Sequence, residues 1–318
     1  MHRNRWIYLA VFVACTIVGA IVVSAGQMTI DNFQCRSSKY SKEDFLAYCR
    51  SDKYGDYEHG ALYYGLEPSL RVNIRRAKVI FLGSSQTQAA FSTKAVRAYF
   101  DRLNTPFFVM GFGYGEASKF ALAVLKRSDA LPRVVVIIAD PFFSENLSAP
   151  AKEVLEGRPA FLWRLALKML FQRIHRVLCA TPFICPESSP AIFRSAQDGQ
   201  WNWIGPYVAE QAIPVDRSLQ KPFAPEEFET AKELGEKFIQ EIGLDRRCVV
   251  LTGIANSYLD SPGVAKKLAE ALGTSSIFPS MDELGTLDGG HINLESAERW
   301  SGQFVETLSP ILKDCIAG

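Results

Sequence analysis

The chain has 318 residues, 48% of them hydrophobic and 22% charged, a balance that allows a large buried core and excludes global disorder. Lys and Arg total 35 against 34 acidic residues, for a net charge of +1, so the concentrated basic surface that nucleic-acid binding needs is not expected. No heptad, internal repeat or low-complexity tract is present, which excludes coiled coils and solenoids.

Residues 1–5, with His2, Arg3 and Arg5, read as a short cytoplasmic tail. From Trp6 to Ile30 there is no charged side chain, and Trp6–Ala25 is almost wholly apolar. Twenty helical residues at ~1.5 Å each cover roughly 30 Å, the thickness of a bilayer's hydrocarbon core. Residues 6–25 are therefore predicted to form a transmembrane helix. The preceding positive charges keep the tail in the cytoplasm and send the remainder of the chain across. This topology implies a single-pass inner-membrane protein with its domain on the periplasmic side. Val23-Ser24-Ala25 also fits a signal-peptidase site, which keeps a cleaved signal as the alternative; the length of the apolar run favours the anchor. Cys15 lacks the surroundings of a lipoprotein cysteine.

Six of the seven cysteines lie beyond that segment, an even number in an oxidising compartment. The simplest pairing is Cys35–Cys49, Cys179–Cys185 and Cys248–Cys315, with buried free thiols as the alternative. No Cys/His spacing suits zinc, and only four histidines are present, so no metal site and no cofactor are expected.

Residues 26–76 are polar, with tyrosines around Tyr54–Tyr64, and read as an extracytoplasmic stalk. A regular alternation begins at residue 77 and defines a domain over 77–318. Ala77–Leu82 is a short β-branched run ending at Gly83, the pattern of a buried strand. Ser92 fits the cap of a helix reaching about Leu103. Phe107–Met110 is a second strand, followed by the glycine-rich Gly111–Gly115 and a helix over Glu116–Lys126. Val134–Ala139 is a third strand, stopping at Asp140-Pro141. Cys248–Thr252 is a further strand, Gly263–Leu272 a helix, Ile277–Phe278 a short strand and Leu294–Leu312 the closing helix. Strands apolar on both faces, alternating with helices, imply a doubly wound α/β fold: a mainly parallel sheet covered by helices on both faces.

The alternation is interrupted by an insertion at about 144–227. Within it, Leu162–Leu178 sets Arg164, Lys168, Arg173 and Arg176 among apolar residues at helical spacing. Such a helix either lies on a membrane surface or packs on the domain with a solvated basic face; the second reading is the expectation. Trp201-Asn202-Trp203 either stacks on sugar rings or fills the core beneath a loop.

Ligands of open α/β sheets bind beyond the carboxyl ends of the strands. There the first strand runs into Gly83-Ser84-Ser85, a tight turn that exposes a hydroxyl close to backbone N–H groups, as a nucleophile with an oxyanion site requires. Near the C-terminus, Asp288-Gly289-Gly290-His291 lets a carboxylate reach the imidazole of the same loop and fix its tautomer, leaving the other nitrogen to take a serine proton.

These two motifs resemble those of the SGNH, or GDSL-type, hydrolases, whose fold is flavodoxin-like. Gly83-Ser84-Ser85 is similar to the family's Gly-Asp-Ser with serine in the middle position, and Asp288-Gly289-Gly290-His291 to its Asp-x-x-His. The resemblance spans about Lys78–Leu312. It implies Ser85 as nucleophile, His291 as base and Asp288 as its orienting carboxylate. It also implies an oxyanion site from the amides of Ser85 and Gly115, with Gly113 as a rival. The family's third-strand asparagine is missing, since the strand ends at Ala139-Asp140-Pro141; Asn146 is the nearest substitute. The implied activity is that of a serine esterase or O-acyltransferase on acyl, above all acetyl, esters of a cell-surface polysaccharide. Transfer would add a membrane-bound acyl-donor protein as partner. A non-catalytic binding or scaffold subunit of an envelope polysaccharide machine is the alternative.

Overall fold

The structure is a computed structural model that describes residues 8–9, 11–19, 43–49, 56–113, 115–139, 141–178, 191–204, 212–280 and 283–316. In chain order its elements are β1 (Asp44–Cys49), α1 (Asp56–Tyr64), α2 (Leu70–Arg76), β2 (Val79–Ser84), α3 (Ser85–Phe91) and α4 (Lys94–Arg102). These are followed by β3 (Phe107–Phe112), α5 (Ser118–Arg127), β4 (Val134–Ile138), α6 (Ala149–Glu156), α7 (Pro159–Leu178), β5 (Ala191–Ser195), β6 (Trp201–Ile204) and β7 (Ile213–Pro214). The last group is α8 (Pro225–Ile242), β8 (Val249–Thr252), α9 (Ser261–Leu272), β9 (Ser275–Ser276), β10 (Gly285–Thr286) and α10 (Leu294–Ile316).

The main sheet has five parallel strands in the order β3-β2-β4-β8-β9. Every residue of β2, β3, β4 and β8 is buried, so alternate side chains must enter two separate cores. Ile80, Leu82, Val135 and Ile137 face one core with Phe120 and Val124 of α5 and Leu268 of α9. Val79, Phe81, Val134 and Val136 face the other with Phe91 of α3, Phe100 of α4 and Trp300 and Phe304 of α10. Helices thus flank the sheet, an arrangement compatible with a doubly wound fold. The second and third parallel strands in the chain, β3 and β4, both pair with the first, β2. The direction of winding therefore reverses at β2, and the crevice beyond a reversal of this kind is where such sheets bind ligands.

The stretch read as a stalk needs correction. Over 44–49 and 56–76 it is part of the globular unit: Phe45, Leu46, Tyr57, Ala61, Leu70 and Ile74 are buried in the first core. Strand β1 pairs antiparallel with β5, and β5 with β6, giving a second sheet built from the supposed stalk and the insertion. Helix α7 closes the edge of β1, where Gln172 accepts from Leu46 N–H at 3.1 Å and donates to Leu46 C=O at 3.0 Å. It packs on the domain as expected, but the face left in solvent is largely apolar, with Arg173 beside it.

Two smaller boundaries also differ. Ser92 does not start the helix after β2: it ends α3, and Thr93 caps α4 by accepting from Val96 N–H at 3.2 Å. The short strand expected at Ile277–Phe278 lies at Ser275–Ser276. Among the described residues no helix is long and apolar enough to cross a membrane; of the apolar run, only 8–9 and 11–19 are described, and they are helical.

Cys248 and Cys315 form a disulfide between the start of β8 and the end of α10, as the simplest pairing had it. Cys35, Cys179 and Cys185 lie outside the described residues. A cross-link across a sequence separation of 67 removes chain entropy from the unfolded state amounting to about 4 kcal/mol. Cys315→Ser should accordingly lower the urea midpoint of the unreduced protein, and reductant should do the same to wild type. A midpoint indifferent to both would show that the bridge contributes nothing.

Candidate active site

The first candidate residue owes its position to the junction of β2 and α3. Gly83 has φ +148°, a conformation L side chains rarely adopt, and a Cβ there would collide with Thr87 Oγ1. That close approach lets Thr87 donate back to Leu82 C=O at 3.1 Å and folds the chain straight from strand into helix. Ser84 is buried and caps α3, its Oγ accepting from Gln86 N–H at 3.3 Å. Ser85 is then the first helical residue, half-buried, with a backbone N–H that has no acceptor within the helix. Farther along α3, the Gln88 side chain donates to Val109, Gly111 and Gly199 C=O at 3.1–3.2 Å and locks the helix to β3.

The second half of the site is a loop held from several sides. Strand β10 pairs with β7, and Thr286 accepts from Gly289 N–H at 2.9 Å. Leu287 N–H donates to His291 C=O at 2.8 Å, and Tyr258 donates its phenolic proton to Asp288 C=O at 2.8 Å. Within this frame Asp288 Oδ2 lies 2.8 Å from His291 Nδ1, while Oδ1 accepts from the amides of Gly290 and His291 at 2.9 and 2.8 Å. The hydrogen bond from the imidazole is the main reason the Asp288 carboxyl sits well below the usual carboxylate range; the loop amides add to it and burial opposes it.

An ionised carboxylate can only accept, so Nδ1 carries the proton, and Nε2 is left as the acceptor for neutral imidazole. Ser85 Oγ lies 2.7 Å from that Nε2, across 206 residues of sequence. All three predicted catalytic side chains are thus joined in one chain of hydrogen bonds. Their side chains are accessible, His291 at 30% and Asp288 at 56% relative exposure.

The predicted oxyanion donors are placed less uniformly. Ser84 pairs with Phe112 in the parallel register, so the turn after β3 leaves the sheet beside Ser85. Gly115 lies on that turn, exposed, with φ +62° and open space around it, and its amide has no partner among the described residues. Gly113, the rival, is committed elsewhere: its N–H donates to Tyr48 Oη at 3.0 Å. Asn146 is exposed on the loop before α6, with no hydrogen bond to Ser85 or His291. Asp140 lies outside the described residues.

Several supporting residues carried no signal in the sequence. Glu116, next to Gly115, is buried, contacts His59 Nε2 at 3.1 Å and accepts from Ser148 Oγ, so it ties α1, the turn after β3 and the cap of α6 together. Tyr258 is equally silent, an exposed tyrosine in an irregular loop. Of the two aromatic readings, Trp201 fits core packing, because it is buried and its indole donates to Glu58 at 2.8 Å; the side chain of Trp203 lies outside the described residues. A groove of about 730 Å³ is lined in part by Leu287 and Ile292, the neighbours of the Asp288–His291 loop, and by Ala89 of α3 and Ser92 at its end.

Fold and site together define an α/β protein with a Ser–His–Asp hydrogen-bonded chain at the carboxyl edge of a parallel sheet. No family model, curated protein or solved structure matches the chain.

Proposed function

We propose that the chain is an extracytoplasmic serine esterase or O-acyltransferase of SGNH type, acting on acyl esters of a cell-surface polysaccharide. The observation that carries this reading is the hydrogen-bonded chain from Ser85 Oγ through His291 to Asp288. The reversal of winding at β2, directly before Ser85, supports a flavodoxin-like site position.

In the reaction, Ser85 Oγ attacks the ester carbonyl as its proton passes to His291 Nε2. The oxyanion of the tetrahedral intermediate takes hydrogen bonds from the amides of Ser85 and Gly115. Collapse breaks the ester C–O bond, and the leaving alcohol departs with the proton from Nε2. Water or a sugar hydroxyl then gives its proton to Nε2 and attacks the acyl-Ser85 carbonyl. The new acid or ester leaves, and the proton returns to Ser85. Asp288 stays ionised and holds the imidazole throughout. With a sugar hydroxyl as acceptor the protein is a transferase, supplied by a membrane-bound acyl-donor protein. The test is labelling of the full-length protein by a fluorophosphonate serine probe. Wild type should label and Ser85→Ala should not; an unlabelled wild type would replace catalysis with a binding or scaffold role.

The proposed location follows from the uncharged run over residues 6–25, read as an inner-membrane anchor behind His2, Arg3 and Arg5. The Cys248–Cys315 bridge supports an oxidising compartment for the domain. A reporter fused after Gly318 should be active only in its extracytoplasmic form. Activity of a cytoplasmic reporter at that position would reverse the topology.

A further inference from the structure

We propose that the outer face of α7 rests on the lipid bilayer that anchors the chain, an inference that depends on the anchor reading of residues 6–25. The exposed large side chains of this helix are Leu162, Trp163, Leu170, Ile174 and Val177, with Trp163 at 54% and Val177 at 73% exposure. The spacing of Trp163, Leu170, Ile174 and Val177 gathers them on one stripe, since residues three, four and seven apart share a helix face, with Leu162 at its margin.

A helix on a water-soluble surface keeps apolar residues inward and polar ones outward, whereas α7 carries apolar residues on both sides, with Phe161, Leu165 and Phe171 buried in the first core. In α7, Lys168, Gln172 and His175 turn inward and are buried. Gln172 is held by both polar groups of the Leu46 backbone, so the helix cannot roll its apolar stripe under without breaking those bonds. A contiguous exposed apolar patch of this kind marks an interaction surface.

Two observations select lipid as the occupant. The first is charge. Pro159–Leu178 contains no Asp or Glu; Lys168 and His175 are buried, Arg164 and Arg176 pair with Glu153 and Glu67, and Arg173 is exposed beside the stripe. Anionic headgroups complement that composition, and an apolar face of Leu and Trp with neighbouring Arg is the make-up of a helix lying in the membrane interface. The second is connectivity. Helix α7 covers β1, the first strand after the apolar run, through Gln172 and through Arg176, which donates to Asp44 C=O at 3.4 Å. Residues 26–43 join the anchor to that strand and reach at most about 60 Å when fully extended. Seated in this way, α7 fixes the orientation of the Ser85 site relative to the membrane plane.

The test uses the full-length protein at one copy per nanodisc, in anionic phospholipid brominated near the headgroup end of the acyl chains. One copy per disc removes a second chain as occupant, and purified components remove a partner protein. Of the five tryptophans, Trp6 of the anchor and Trp163 of α7 are the two this arrangement sets against lipid, so Trp163→Phe should remove about half of the lipid-quenched emission. Equal quenching in wild type and Trp163→Phe overturns the proposal while leaving the anchor intact. Absence of quenching in both overturns the anchor reading as well. The double variant Leu170→Glu/Ile174→Glu, which keeps Trp163, should lose the Trp163 component with an unchanged melting temperature. Persistence of that component in the folded double variant also overturns the proposal.

Discussion

Ser85→Ala should bring hydrolysis of a short nitrophenyl ester by the full-length protein in detergent to background, because it removes the only atom positioned to be acylated. His291→Ala should do nearly the same, since among the described residues it is Nε2, 2.7 Å from Ser85 Oγ, that can take the serine proton. Ser84→Ala is the contrasting case. Its Oγ accepts only the Gln86 amide at the start of α3, so its loss costs about 1 kcal/mol of cap stability and at most roughly five-fold in rate. Asp288→Asn falls between. In other Ser–His–Asp triads this change costs on the order of 10⁴ in turnover through the wrong tautomer. Here more than half of the Asp288 side chain is open to solvent, and water can replace part of its effect on the imidazole. The loss should therefore be smaller than that, and still larger than for Ser84→Ala. Circular dichroism and melting establish that each variant folds. If Ser84→Ala abolishes activity while Ser85→Ala keeps it, the motif has been read one residue out of register.

The parts of this site legible in the sequence are those that local pattern determines. Strands β2, β3, β4 and β8 announce themselves because residues buried on both faces form unbroken apolar runs. The Asp288–His291 pair is legible because its partners lie three residues apart. Helix α3 gave no such signal: Ser-Gln-Thr-Gln-Ala-Ala-Phe has no apolar period, and what fixes it is Gln88 bonding to strand carbonyls more than twenty residues away. Strand β1 and helices α1 and α2 were missed for the same reason. Glu58, His59 and Glu67 are buried there only because Arg194, Glu116 and Arg176 meet them from distant elements. In α7 the period revealed two faces and not which one turns inward. Charge suggested a basic outer face; the structure instead buries Phe161, Leu165 and Phe171 together with Gln172, which satisfies the open edge of β1, and leaves a second apolar stripe outward.

Arg194 offers the largest expected effect on stability. It and Glu58 are fully buried, paired at 2.7 Å between α1 and β5. Arg194 also donates to Gly111 C=O at 3.1 Å and Val109 C=O at 2.6 Å, so it binds the second sheet to the strand that ends beside Ser85. Arg194→Met keeps most of the volume but leaves Glu58 as a buried carboxylate without its cation, a change that costs about 3–5 kcal/mol. That is a large part of the roughly 5–15 kcal/mol that holds a domain together, so the variant should melt much lower or fail to accumulate. Adding Glu58→Gln should recover part of the loss. The amide oxygen still accepts from Trp201 Nε1, now at 2.8 Å from Glu58, and both strand carbonyls keep a donor in Gln88. The pair is also incompletely satisfied, because Glu58 Oε2 and Arg194 Nε have no partner among the described residues, which lowers what the intact ion pair contributes. The double variant should therefore be more stable than Arg194→Met alone, by at least about 1 kcal/mol in urea unfolding. Equal or lower stability of the double variant would mean that Arg194 acts through its contacts to the β3 carbonyls and to the Phe112 ring, and not by neutralising Glu58.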